Sequence, residues 1–343
     1  MRVAVIGGGI SGLPCAIQIL EYFKSISSPI EVTVYSEAYS PNTTGDGSAG
    51  LWGPYLLGRT SPDRVRRWSK RMHDFLEQIW LTEDAAEAGV CLIPCMRLST
   101  STLQDNDFWK DIVYGCQPLT QRQLDDFNKG KENKFTCGIH FITYTSEPAK
   151  LLPYLMKRFE KQGGKMVQQR IDNLEEFLSN SNFEAIINCT GLGSKECVKD
   201  CEMYPVRGQV TRYKANWIYY VILDESDDGN YIIPNCDSVV LGGTHQVNDN
   251  NTNVCPNDKK LIIDGCRKIV PGLAHATHLY DWVGLRPGRD CLRLEVERAG
   301  KKILIHNYGH GGSGVTLAWG CAADVLELLK RELQIRHLTK SKL

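Results

Sequence analysis

The 343-residue chain lacks the features that would place it in several large functional classes. It has no charge excess, since forty Lys and Arg balance forty Asp and Glu. Attachment to nucleic acid or to an anionic membrane by bulk charge is thereby excluded, although a local charged pocket is not. No apolar run approaches the roughly 18–20 residues that cross a bilayer, so a soluble protein without membrane insertion is expected. The apolar opening, residues 3–6, is too short for a signal peptide and runs straight into glycines. Thirteen cysteines contain no Cys-x-x-Cys, and no histidine stands at zinc-ligand spacing beside the i, i+4 pairs Cys91/Cys95 and Cys197/Cys201. No metal site is expected. An odd, evenly spread set reads as reduced thiols acting as small buried hydrophobes, in a compartment that keeps thiols reduced. No segment repeats at a fixed period, and none is of low complexity.

What is present begins with a strand–turn–helix unit. Arg2-Val3-Ala4-Val5-Ile6 is a short apolar run suited to a buried parallel strand. Gly7-Gly8-Gly9-Ile10-Ser11-Gly12 follows, then a helix over about 13–24 with Leu13, Ala16, Ile17 and Leu20 on one face. Pro14 falls early enough in that helix to be tolerated. Further strands of the same layer are expected at 31–35, 185–189 and 303–307, the last leading through a glycine-rich loop into a helix over about 315–333. Residues 207–222 and 231–243 read instead as strands with turns of an antiparallel sheet. Residues 63–90 read as an amphipathic helix with Trp68, Met72, Phe75, Leu76 and Trp80 at helical spacing, a core stripe. The expected fold is α/β (α+β): a Rossmann-like dinucleotide-binding domain of residues 1–56, 145–195 and 285–343, interleaved with a mostly antiparallel β substrate domain of 57–144 and 196–284.

Gly7-x-Gly9-x-x-Gly12 lies between strand and helix, the context that gives the motif its meaning. Gly7 permits the tight turn, Gly9 lets the backbone approach a pyrophosphate, and Gly12 lets the helix pack on the strand. The helix N-terminus offers unpaired N–H groups to the phosphates, and Glu37, just after the second strand, is placed for an adenosine ribose. The motif alone does not separate NAD from FAD. The polar, glycine-rich stretch 41–52 does, because it interrupts the regular βαβ course and can wrap a large planar cofactor. The loop 308–316 adds donors at a second helix N-terminus, where the dipole would stabilise an anionic reduced flavin. FAD is the expected cofactor. At the other end Ser341-Lys342-Leu343, behind a basic, polar stretch, is the tripeptide read by the peroxisomal import receptor.

In chain order, Val5-Ile6-Gly7-Gly8-Gly9-Ile10-Ser11-Gly12-Leu13, the loop 43–54, Asn188-Cys189-Thr190-Gly191, Arg207-Gly208-Gln209, Leu241-Gly242-Gly243-Thr244, Gly284-Leu285-Arg286-Pro287 and His306-Asn307-Tyr308-Gly309-His310-Gly311-Gly312 resemble the D-amino-acid oxidase family over nearly the whole chain. The resemblance implies an FAD-dependent oxidase that turns a D-amino acid and O2 into a 2-oxo acid, ammonia and H2O2, and a peroxisomal matrix location. It places FAD against Gly7, Gly8, Gly9, Ile10, Ser11, Gly12 and Glu37; against Thr43, Thr44, Ser48, Gly50 and Leu51; against Ile171 and Thr190; and against Gly309, Gly311, Gly312, Ser313, Gly314, Val315 and Thr316. It puts Arg286 on the substrate α-carboxylate, where a planar guanidinium pairs bidentately. Tyr231 would contact the same carboxylate, the Gly312 carbonyl would receive the amine, and Tyr55 would line the pocket. No acid or base is needed at the carbon, so His310 reads as structural or flavin-adjacent.

Within the family, 191–194, 205–210 and 242–246 resemble the members acting on D-aspartate. His245 stands where those relatives carry Arg, and would face the distal carboxylate. The acidic stretch Asp224-Glu225-Ser226-Asp227-Asp228 opposes that reading, and Leu51-Trp52-Gly53-Pro54-Tyr55 resembles the neutral-substrate members. Acidic D-amino acids are the expected substrates. A neutral D-amino-acid oxidase and a non-catalytic flavin-binding protein are the alternatives.

Overall fold

A computed structural model of the chain describes residues 1–103, 108–131, 134–226, 229–299 and 302–340. Among these residues, six strands form one sheet in the order Arg293–Ala299, Lys302–Tyr308, Ala185–Asn188, Arg2–Ile6, Glu31–Ser36, Lys165–Gln168. Every neighbouring pair is parallel except the antiparallel pair formed by the first two. Val3, Ala4, Val5, Ala185, Ile186 and Ile187 are all fully buried. Helices cover both faces of such a sheet, which is why its strands are continuous apolar runs and do not alternate. Gly12–Ser25 and Gly314–Lys340 pack on one face through Leu13, Ile17, Leu317 and Val325. Leu174–Asn180 covers the other, with Leu174 and Leu178 against Ala4, Ile6, Ile186 and Leu304.

A second sheet of nine strands is mostly antiparallel, as expected. Its order is Gln246–Val247, Tyr204–Lys214, Val239–Gly242, Tyr231–Pro234, Val221–Asp224, Val90–Ser99, Cys137–Ser146, Tyr114–Pro118, and Thr277–Gly288 lies along Tyr204–Lys214. The parallel exception is Val90–Ser99 with Val221–Asp224. Side chains alternate across it. Ile93, Cys95, Phe141, Val210, Val221, Ile233 and Val240 join the large core shared with the first sheet. Ile222, Ile232 and Leu241 face away, under the helix Pro256–Ile269.

The expected helix over 63–90 is shorter in the structure. It spans Pro62–Trp80, and a separate short helix, Ala85–Ala88, ends at Gly89, whose φ of +66° turns the chain into the Val90 strand. Trp68, Met72, Phe75 and Leu76 are buried as the stripe requires, but its last member is Ile79, and Trp80 is exposed. The long helix lies against the C-terminal helix of the parallel layer. Phe75 stacks on Trp319 with ring centroids 3.6 Å apart, and a Cβ on Gly320 would come within 2.3 Å of the Trp68 carbonyl oxygen. All thirteen cysteines are free.

Candidate active site

The glycine turn is built by close contact. Gly7 has φ +113°, and a Cβ there would lie 2.3 Å from the Cys189 carbonyl oxygen; one on Gly12 would lie 1.9 Å from the Gly7 carbonyl oxygen. Gly9 differs, with no heavy atom within 4 Å of the Cβ position. The Gly8 N–H donates to Ser36 Oγ at 2.9 Å. Ile10 follows, and Ser11 precedes the helix without capping it by its side chain; the Gly12 and Leu13 N–H groups both donate to the Gly9 carbonyl at 3.1 Å, so the turn offers a ligand the positive end of the helix dipole.

The loop 41–52 is held at several points. The Asp46 carboxylate accepts from the Thr43 N–H (2.8 Å), the Thr43 hydroxyl (2.7 Å) and the Ser40 hydroxyl (2.5 Å). Buried Arg212 donates from Nη2 to the Ser48 carbonyl (3.1 Å), and Asn235 Nδ2 donates to the Ala49 carbonyl (3.0 Å). The Gly50 carbonyl accepts from the Ser146 N–H at 2.8 Å, and Leu51 bridges to Thr145. Thr44 lies beside Gly284. Asp46, Arg212 and Asn235 had no place in the sequence reading. The signal for Asp46, an Asp in a Ser/Thr/Gly loop, is that of an Asx turn.

Beside the turn, Thr190 donates from Oγ1 to Asn188 Oδ1 (2.8 Å), and Asn188 meets His306, whose other nitrogen lies 3.1 Å from Glu297. Burial lowers the His306 pKa, and Arg293 adds to that. Ile171 packs on the Ala4 and Ile6 face. The exposed carboxylate of Glu37 is ion-paired with Arg170 at 3.1 Å, and Arg170 also holds Asp172 and Glu196.

The loop after the Lys302–Tyr308 strand turns at Gly309 (φ +84°) and Gly311 (φ +53°). The hydroxyls of Ser313 and Thr316 are held by the protein backbone: Ser313 Oγ bonds the Tyr55 N–H and carbonyl, and Thr316 Oγ1 bonds those of Gly53. The Gly311 and Ser313 N–H groups donate to the Pro287 and His310 carbonyls at 2.9 Å, so the main-chain N–H groups a ligand could use there are those of Gly312, Gly314 and Val315. His310 is buried, with Nδ1 3.3 Å from Ser11 Oγ. Burial drives its pKa down to about 4, so the ring is neutral near pH 7 and links the two glycine loops.

Arg286 occupies the half-buried middle of Thr277–Gly288. Its Nη1 donates to the Thr244 carbonyl (3.0 Å) and the Arg207 carbonyl (3.3 Å). Those bonds leave the Nε–Nη2 edge as a fork for a carboxylate. A Cβ on Gly208 would lie within 2.4 Å of the guanidinium carbon, and one on Gly242 would lie 2.0 Å from the Tyr231 ring. The motif glycines thus make room for these two side chains. The positive charge of Arg286 acts on both Tyr231 and Tyr55, although burial, the larger effect, raises both phenol pKa values and keeps the hydroxyls protonated. Gly312 touches Tyr55, since a Cβ there would lie 2.4 Å from that ring. The structure therefore brings Arg286, Tyr231, Tyr55 and Gly312 together. His245 is exposed, one residue past the carbonyl that holds Arg286.

These residues fit FAD. Gly9 leaves open space at the uncapped helix start, the Ser48 hydroxyl and His310 Nε2 are buried without a protein partner, and Gly53 has open space beside it. Fold and cradle define a dinucleotide-dependent oxidoreductase, and glycine oxidase from Geobacillus kaustophilus shares the fold at a TM-score of 0.78, with 18% identity over 96% of this chain and 95% of that one. The chain belongs to the DAO family of FAD dependent oxidoreductases, whose model matches residues 2–328, and its cofactor is FAD. Among curated relatives it is 39% identical to the D-amino acid oxidase of Dugesia ryukyuensis over 96% of this chain and 97% of the relative. It is 33% identical to the D-aspartate oxidase of Homo sapiens over 96% and 94%.

Gly9 and Gly12 therefore fail differently on substitution. Gly9→Ala is expected to fold normally and retain less FAD, because its methyl enters the cofactor's space. Gly12→Ala is expected to lose about 1–3 kcal/mol of apoprotein stability by overpacking. Urea melts of flavin-free protein and visible spectra after desalting check both; unchanged flavin retention in Gly9→Ala would remove the pyrophosphate from this turn.

Proposed function

We propose that the protein oxidatively deaminates acidic D-amino acids, D-aspartate and D-glutamate, to the 2-oxo acid, ammonia and H2O2. The observation that carries the reading is the convergence of Arg286, Tyr231, Tyr55 and the Gly312 main chain beside the cradle. When bound, FAD supplies the two-electron acceptor for the substrate Cα–H and passes the electrons to O2. Arg286 grips the α-carboxylate through its free edge while Tyr231, protonated, donates to the same group. The Gly312 carbonyl takes the amine. Fixing the carbon in this way supplies the orientation on which such a reaction depends, and no side-chain base is assigned. Neutral His310 is a link between loops.

The acidic preference draws on the 33% identity to a D-aspartate oxidase and on two basic side chains. One is His245, exposed and one residue past the carbonyl that holds Arg286. The other is Arg97, which pairs across the sheet with Leu223, itself opposite Tyr231. Arg97 Nε lies 3.2 Å from Glu225, so this carboxylate of the acidic stretch is ion-paired. Asp227 and Asp228 lie outside the described residues. A neutral-substrate oxidase is the second reading, favoured by the open space at Gly53 and by the 39% identical relative.

A peroxide-release panel of D-Asp, D-Glu, D-Ala and D-Pro decides between the two readings. His245→Ala is expected to raise KM for D-Asp at least several-fold while leaving D-Ala unchanged, and His245→Arg to lower it. Faster turnover of D-Ala than of D-Asp by the unmodified protein would overturn the acidic assignment. Failure of every D-amino acid to bleach the bound flavin anaerobically would leave only a binding protein.

Arg286→Lys replaces a two-point fork by a point charge. Cutting a buried charged contact of this kind costs about 2–5 kcal/mol, so kcat/KM is expected to fall at least about tenfold. Wild-type kinetics would mean that another cation anchors the substrate.

The same proposal includes peroxisomal import through Ser341-Lys342-Leu343, which lie outside the described residues, bound by the import receptor. Deleting the three residues is expected to leave catalysis intact and to move the protein to the cytosol. Peroxisomal puncta from the truncated chain, in cells lacking the full-length protein, would refute it.

A further inference from the structure

Of the thirteen cysteines, two far apart in sequence meet near the surface. Cys91, second residue of Val90–Ser99, and Cys236, in the turn between Tyr231–Pro234 and Val239–Gly242, have their sulfurs 3.6 Å apart. Cys236 is exposed and Cys91 partly so, unlike the buried Cys15, Cys95, Cys189, Cys266 and Cys321. Lys150, ion-paired to Asp237 at 2.7 Å, places a cation beside both sulfurs, and Glu147 opposes it. The two thiols share a hydrogen bond that lowers the Cys91 pKa to about 7 and pushes that of Cys236 up. The 3.6 Å pair thus sets a readily ionised sulfur within reach of a second thiol.

We propose that Cys91 and Cys236 are an oxidative modification site, a dithiol that hydroperoxides convert to a reversible disulfide that loosens the grip on the loop 41–52. The Cys91 thiolate attacks one peroxide oxygen, an S–O bond forms, the O–O bond breaks, and the departing hydroxide takes up a proton. Cys236, losing its proton, attacks the Cys91 sulfur; the S–S bond forms and the S–O bond breaks with release of water. In sum two thiols and one H2O2 give one disulfide and two waters. The turn carrying Cys236 also carries Asn235, which accepts from Arg212 at 2.9 Å and donates to the Ala49 carbonyl at 3.0 Å. Cys91 sits opposite Thr145, the residue that bridges Leu51. Drawing the sulfurs together pulls on the turn that holds Ala49 directly and Ser48 through Arg212.

The test uses flavin-loaded protein without substrate, so it stands whatever the substrate proves to be. The protein is treated with stoichiometric H2O2, quenched with an alkylating agent and mapped by non-reducing peptide mass spectrometry. The expected result is a Cys91–Cys236 cross-linked peptide, a loss of about 2 Da for the two hydrogens removed, reversal by dithiothreitol, and more flavin in the filtrate. Cys91→Ser and Cys236→Ser should both abolish the cross-link and keep the flavin. A map in which Cys91 and Cys236 are alkylated, over-oxidised or joined to other cysteines overturns the site, and this is read on the unmodified chain even if a variant misfolds. A cross-link with unchanged flavin retention overturns its effect on the loop.

Discussion

The geometry around Arg286 depends on a second, buried guanidinium that is wholly engaged by protein groups. Arg207 is 1% exposed, and all five of its donors are engaged. Nε bonds the Asn251 carbonyl, Nη1 bonds Gln246 and Asp258, and Nη2 bonds Gln209 and the Asn253 carbonyl. An unpaired charge at this depth would cost several kcal/mol, so the segment 246–258 has to wrap around it. That wrapping brings the Thr244 carbonyl against Arg286, while the Arg207 carbonyl takes the same Nη1 from the strand beneath. One fully satisfied cation thus fixes the orientation of another that keeps an edge unsatisfied. The free edge is what binding requires.

A second buried arginine does the corresponding work at the cofactor end. Arg212 lies on the same strand as Arg207, five residues on and on the opposite flank of the substrate residues. It reaches Asn235, Ser238 and the Ser48 carbonyl. The antiparallel sheet therefore grips the loop of the parallel layer through side-chain donors to main-chain carbonyls. Glycines decide what fits around these side chains: Gly47 faces Trp282, Gly208 faces Arg286, Gly242 faces Tyr231, and Gly312 faces Tyr55. At each, a methyl group would fall inside a functional or core side chain. The same closeness excludes water from His310 and keeps its ring neutral, so the residue that invites assignment as a base bridges two loops.

Much of this was legible in the chain because it is written in local rules. A five-residue apolar strand, a glycine turn with fixed spacing and a helix opening on open space form one contiguous unit, and period-two strands announce the second sheet. Arg286 and Tyr231 are named through the family resemblance of the motifs that hold them, while the glycines that make room for them, Gly208 and Gly242, lie in other motifs. The helix over 63–90 is overextended because the break at 81–84, between Pro62–Trp80 and Ala85–Ala88, carries no glycine or proline to announce it. That Glu37 pairs with Arg170, more than a hundred residues away, is invisible from its position in the chain. The hydroxyls of Ser313 and Thr316 have no address until the 53–55 backbone is folded over them.

By itself, then, the sequence determined the order of elements and the dinucleotide cradle. Both follow from near neighbours in the chain, where backbone geometry and periodicity act. Tertiary structure alone decided which hydroxyls and carboxylates are taken up by protein partners, that Arg207 and Arg212 are structural cations, that Arg97 pairs with Glu225, and that Cys91 meets Cys236 across 145 residues. Hydrogen bonds and ion pairs depend on ångström-scale distances between groups whose sequence separation is arbitrary, and no pattern along the chain carries those distances.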